Sequence, residues 1–309
     1  LAVRQMPVTG LVDTRGSNHQ VSGSAPTATA FATGTRSVMG AIGVGPDSIP
    51  RESVLEKAHL QGWGTGLITT TTITDATPAA FAAHVPSRTQ RMDILQQMVN
   101  LPVNVLLGGG SRMIEVLEEQ GLKELQTLIA DRYRYVDSST ELSILSQDST
   151  TSHILGLFSP GEMPMSLRGR SPSLAEMTTA GIDILDRNPN GFFLLVENEG
   201  SDTYSHRNLD REVLVAEMLE FDDAVGIALS YFREHPETLI VVTSDHETGG
   251  ITLKGDEDRN IVMEYATTSH TAALVPLFAI GPGSAQLGGL KRNDEIGKIL
   301  IGLLNPSSN

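Results

Sequence analysis

Short apolar runs separated by stretches of helical periodicity recur along this chain, and several of the runs end in Asp, Glu and His, residue types that can ligate metals. The runs are "GLITTTT" from Gly66, "VNVLLGGG" from Val103, "FFLLVEN" from Phe192, "TLIVVTSDH" from Thr238 and "LVPLFAIGPG" from Leu274. Helical patterns lie between them at about Ser53 to Leu60, Pro78 to Val85, Met113 to Ile129, Leu174 to Asp186, Leu209 to Arg233 and Asp294 to Leu304. Such alternation predicts an α/β fold, a mostly parallel sheet with helices on both faces. The polar stretch Asp137 to Ser152 reads as a surface excursion. Neither an internal repeat nor a domain boundary interrupts the pattern, so one domain is expected over residues 1–309.

Charge and composition narrow the partners. A formal net charge of -15 disfavours sequence-independent binding to nucleic acid or to an anionic membrane, which needs clustered Lys and Arg. An anionic substrate would therefore need local positive charge. The chain has no cysteine, which removes disulfide and thiolate chemistry. No run of about 18 apolar residues offers a membrane span. The opening "LAVRQMPVTG" is not signal-like, so any targeting segment is expected outside these residues.

The stretch "VSGSAPTATAFATG", Val21 to Gly34, sets Ser24 between a glycine and a run that reads as a helix. A serine at that place is most often an N-cap accepting a bond from a free backbone N–H. A helix N-terminus also attracts anions, so the same hydroxyl stands where a phosphate would bind. The Ala and Thr side chains behind it are small enough for close packing under a ligand. Cap and nucleophile both remain open on these residues alone.

In open parallel sheets ligands sit beyond the carboxyl ends of the strands. After "FFLLV" come Glu197, Asp202 and His206; after "LIVVTS" come Asp245 and His246. His270 precedes the last strand, and Asp75 and Thr77 follow "GLITTTTIT". A single Asp at a strand end is commonly a turn residue. Several strand ends carrying Asp and His together form a metal-ligand set, imidazole and carboxylate suiting Zn2+ and hard oxygens suiting Mg2+. His19, His59, His84, His153 and His235 lack such neighbours and read as structural.

At this point the chain resembles the alkaline phosphatases, through "MPVTGLV", "SAPTATAFATG", "ITDATPAAFAAHVPSR", "LLGGG", "PSLAEMT", "VENEGSDTYSH", "TSDHETGG" and "SHTAALVPLFAIGPG", in shared order and spacing. The resemblance implies the alkaline-phosphatase three-layer sandwich and hydrolysis of phosphate monoesters through a phosphoserine intermediate on Ser24. It implies two Zn2+ and one Mg2+. Asp202, His206 and His270 match the ligands of one zinc, and Asp245 and His246 those of the second. Thr77 and Glu197 match direct magnesium ligands, with Asp75 acting through a bound water. Glu199 is a rival for Glu197, but Glu197 keeps the family's spacing of five residues to the zinc Asp and nine to the zinc His. Arg88 matches the arginine that forks onto two phosphate oxygens, a geometry suited to a planar guanidinium.

The chain departs from the family in three places. Gly23 stands where an Asp usually precedes the nucleophile, and Thr203 where relatives have Lys, His or Trp. The family's first strand, ending in a Gly-Asp-Gly-Met-like turn whose Asp bridges the second zinc and the magnesium, has no counterpart before "MPVTGLV". The expected domain therefore lacks that strand, and the second zinc has two protein ligands. Two alternatives follow: another enzyme on the same metal scaffold, such as a phosphodiesterase, nucleotide pyrophosphatase or phosphomutase, or a catalytically impaired protein that binds metal and phosphate. Family habit implies a periplasmic or secreted protein, a possible homodimer, with phosphate esters and inorganic phosphate as its partners.

Overall fold

The computed structural model describes residues 1–304. The last five residues of the expected domain, 305–309, lie outside the described residues. In chain order the strands are β1 Val8–Asp13, β2 Gly64–Thr72, β3 Val105–Gly109, β4 Arg134–Val136, β5 Ile154–Leu157, β6 Phe192–Glu197, β7 Ile240–Thr243, β8 Glu247–Thr248, β9 Thr252–Gly255, β10 Ile261–Glu264, β11 His270–Thr271, β12 Val275–Ile280 and β13 Gly289–Arg292. The helices are α1 Ser24–Thr33, α2 Val54–Leu60, α3 Ala76–Ala82, α4 Arg91–Asn100, α5 Arg112–Glu119, α6 Lys123–Arg132, α7 Ser139–Gln147, α8 Leu174–Leu185, α9 Gly200–His206, α10 Arg211–Glu234 and α11 Asn293–Leu303.

Five strands form an all-parallel sheet in the order β4-β5-β3-β2-β6. The interior strand β2 is buried at all nine positions, as the unbroken run of apolar and Thr residues predicts. Side chains alternate across it: Leu67 and Leu106 enter one core with helices α1 to α4, while Ile68, Val105 and Leu107 enter another with α8. This is the expected layering, helices on both faces of the sheet. Capping boxes start α2 at Ser53 and Glu56 and α8 at Ser173 and Glu176.

A second sheet runs β13-β1-β12-β7. Here "LVPLFAIGPG" is antiparallel to both neighbours, a departure from the parallel pattern around it. It pairs with "VTGLVD", whose alternating exposure hides it from a search for apolar runs. β6 and β7 each pair on one side only and are half-buried at every position.

Two expectations need correction. The pattern Met113 to Ile129 is not one helix but α5 and α6, broken at Gly121, whose φ of +67° favours glycine. Asp137 to Ser152 is not merely an excursion: it holds α7, capped by Ser138 on the Glu141 N–H and packed on α8 through the buried Leu142. One apolar residue per turn suffices to dock a helix whose remaining faces are polar.

Candidate active site

Ser24 does not cap α1. Gly23 occupies the N-cap position, no side chain caps the helix, and the Ser24 hydroxyl is 3.3 Å from Nε2 of His246. All ten residues of α1 are buried, and Gly34 ends the helix in the left-handed conformation. A side chain at Gly23 would begin 3.2 Å from Met39 Sδ and 3.8 Å from the His270 ring. The family Asp is absent at a place where this chain has filled the space with Met39 and the imidazole.

His270 donates Nδ1–H to the Ser22 carbonyl at 2.7 Å, and His206 donates Nδ1–H to the Thr268 carbonyl at 2.7 Å. Those bonds leave the two Nε2 lone pairs pointing inward, 3.0 Å apart. Asp202 completes the group, its carboxylate oxygens 3.5 Å from His270 Nε2 and 3.4 Å from His206 Nε2. α9 carries Asp202 and His206 on one face at i and i+4, and the β8–β11 ribbon sets His270 opposite Thr248. Burial raises the Asp202 carboxyl, but the neighbouring His270 imidazole and the Thr248 hydroxyl outweigh it and hold it at about 2.

His246 stacks on His270 with ring centroids 3.5 Å apart. The Thr248 hydroxyl donates to Asp202 and accepts from His246 Nδ1 at 3.2 Å, which leaves His246 Nε2 free to face Asp245 Oδ2 at 3.1 Å and Ser24. Burial lowers the His246 imidazole pKa, and the Asp245 charge more than restores it. The donor atoms of Asp202, His246 and His270 all lie within 4.8 Å of one another.

On the neighbouring side, Glu197 ends β6. Its carboxylate accepts from Thr69 at 2.6 Å and is touched by the Thr77 hydroxyl. Withdrawal from water raises it to about 7, the two hydroxyls only partly countering. Glu199 is raised well above its ordinary range, first by burial and then by Glu197 and Asp202. Arg88 binds Asp75 Oδ1 at 2.7 Å, and Thr71 donates to Asp75 Oδ2 at 3.4 Å. Burial lowers the Arg88 pKa, but Asp75 and then Glu199 and Glu197 more than compensate, so the guanidinium stays charged.

The fold therefore gathers the residues singled out in the sequence. Imidazole lone pairs converging on carboxylates are the donor chemistry of a divalent cation, and two such lone pairs at 3.0 Å repel unless a proton or metal lies between them. The residues fit a metal. Thr69 and Thr248 were missed; both lie inside quoted runs, but a hydroxyl's partner cannot be read from a run of threonines.

The alkaline phosphatase sequence profile matches residues 1–266. Alkaline phosphatase 4 of Bacillus subtilis is 34% identical across 79% of this chain, and alkaline phosphatase H of Pseudomonas aeruginosa is 31% identical across 94% of it. The match covers 53% of the Bacillus protein and 76% of the Pseudomonas one, so the chain spans only about half the length of the former. Among solved structures, the alkaline phosphatase from the Antarctic bacterium TAB5 superposes with a TM-score of 0.90 at 31% identity, covering 98% of this chain and 91% of that one. With a profile match through most of its length and relatives at this identity, the chain belongs to the alkaline phosphatase family.

Proposed function

We propose that this chain carries the catalytic core of a metal-dependent phosphate monoesterase acting through a phosphoserine on Ser24. The observation that carries the reading is the Ser24 hydroxyl, buried and uncommitted to capping, 3.3 Å from an imidazole nitrogen inside a set of convergent His and Asp donors. In this reading Asp202, His206 and His270 hold one zinc, Asp245 and His246 a second, and Thr77 and Glu197 a magnesium with Asp75 behind a water. When bound, the ions supply positive charge to the ester, acidify the serine hydroxyl and a water, and shield the departing oxygen.

Ser24 Oγ forms the new bond to phosphorus as the P–O bond to the alcohol breaks, and the alcohol leaves with a proton. Water then displaces Ser24, releasing inorganic phosphate. Arg88, held by Asp75, spreads two N–H donors over phosphoryl oxygens that gain charge in each step. The cations and Arg88 give a protein of net charge -15 a local attraction for an anionic ester. The physiological setting consistent with the family is periplasmic or secreted, with phosphate esters as substrates and a homodimer as assembly. No helix among the described residues is long and apolar enough to cross a membrane.

A specific observation favours a second reading, impaired turnover with metal and phosphate still bound. The second zinc has two protein ligands in this assignment, and among the described residues β6 and β7, which lead into the site, each lack a partner on one side. A further parallel strand ending in a carboxylate would satisfy both. Hydrolysis of an aryl phosphate monoester, an aryl phosphate diester and no ester separates the proposals; assaying this chain beside one extended upstream separates the second reading from the first. Preference for the diester would overturn the monoesterase assignment.

A further inference from the structure

The carboxyl ends of β2 and β3 open onto a second cleft of about 550 Å³, and none of its lining residues belongs to the group assembled around Ser24. Met92, Met113, Val116 and Pro160 give it an apolar wall. Arg91 and Arg112, at the first turns of α4 and α5, flank it, and both guanidiniums are exposed. Neither makes an ion pair among the described residues; Arg91 has only a long 3.5 Å bond to Thr72 Oγ1. Asp93, the acidic residue of the lining, accepts the Gln90 side-chain amide at 3.0 Å. The volume lies within the range of small-molecule sites.

We propose that this cleft binds a small organic anion. An aromatic or aliphatic body lies on the methionine, valine and proline wall, and a carboxylate or phosphate group sits between Arg91 and Arg112. Hydrogen bonds from charged donors are the strong ones, and they select an anion over its neutral isostere. The site stands apart from the phosphatase reading, since it uses no residue of that machinery. It is nevertheless near it in the chain: Arg91 is three residues beyond Arg88, and Thr72 three before Asp75.

The probe is 6-hydroxy-2-naphthoate, which has an aromatic body and a carboxylate, titrated by fluorescence into metal-loaded protein. The titration is made first without and then with increasing inorganic phosphate, up to saturation of the Ser24 site. The expected Kd is about 1 mM or tighter, weakened at least tenfold in the doubly substituted R91Q/R112Q protein and in Val116→Trp, which narrows the cleft without altering charge. Both arginines are exposed, so an unchanged melting temperature is expected of the double variant and verifies its fold. Absence of binding to the parent protein, an equal Kd in both variants, or displacement of the probe by phosphate in step with phosphate inhibition would each overturn the site.

Discussion

The Ser24 hydroxyl faces His246 Nε2 at 3.3 Å while Gly23, one residue earlier, takes the helix N-cap. Removing the hydroxyl therefore costs α1 nothing in capping. Ser24→Ala is expected to keep the melting temperature and lose turnover by roughly a thousandfold or more, together with phosphate labelling of the protein. Labelling at the parent level would remove Ser24 from the nucleophile's place.

Arg88→Ala deletes a guanidinium already oriented by Asp75 at 2.7 Å. A hydrogen bond to a charged group is worth about 1.5 to 3 kcal/mol, so the inhibition constant for phosphate should rise roughly ten- to a hundredfold. An unaltered constant would mean that the pair with Asp75 is the whole of its role.

His270→Ala takes away one of two imidazoles whose Nε2 atoms face each other at 3.0 Å. Elemental analysis should find zinc lost along with rate, because the remaining donors form an incomplete shell. A full complement of zinc would make His270 structural.

The His84–Glu56 pair gives a pH signature away from the metal ligands. Burial lowers the His84 pKa, but its bonds to Glu56 at 2.8 Å and to the Gly43 carbonyl raise it above the ordinary 6.5. Its contribution to stability is complete below pH 6.5 and is lost as pH rises through the raised value. Burial raises the Glu56 carboxyl, yet His84 and the Ser53 N–H bring it below the ordinary 4.5, so its contribution is present above pH 4.5 and is lost as pH falls through the lowered value. Melting temperatures followed across pH should show the parent losing its advantage over His84→Gln at both limbs. Parallel curves would show that the pair contributes nothing.

Arg170 lies buried between Glu217 and Glu220, whose remaining oxygens accept the Ser166 and Leu174 N–H groups. Arg170→Met strands two buried carboxylates and should cost about 3 to 5 kcal/mol in denaturant unfolding. Replacing both glutamates by Gln in that background should recover part of the loss. Loss without recovery would place the cost in packing rather than charge.

The interior strands β2 and β3 were legible because a strand buried on both faces is apolar or β-branched with little polar alternation, as in "LITTTT" and "VLLGG". β1, β4 and β5 were not: β4 and β5 have three and four residues, and in β1 Thr9 and Gly10 interrupt the apolar run while Leu11 faces outward. The Gly121 break was also hidden, since apolar periodicity continues across it while the backbone does not.

Chain order and residue type flagged the eight candidate ligands, because ligands gather beyond the carboxyl ends of strands, whereas the nucleophile's role for Ser24 and the phosphate contact of Arg88 came from the resemblance to the alkaline phosphatases. Tertiary structure decided what each could do there. Ser22 and Thr268 lie far from His270 and His206 in sequence, yet their carbonyls take the Nδ1 protons and turn both Nε2 lone pairs inward. Which nitrogen of an imidazole is free depends on the partner of the other, and that partner is supplied only when the chain has folded.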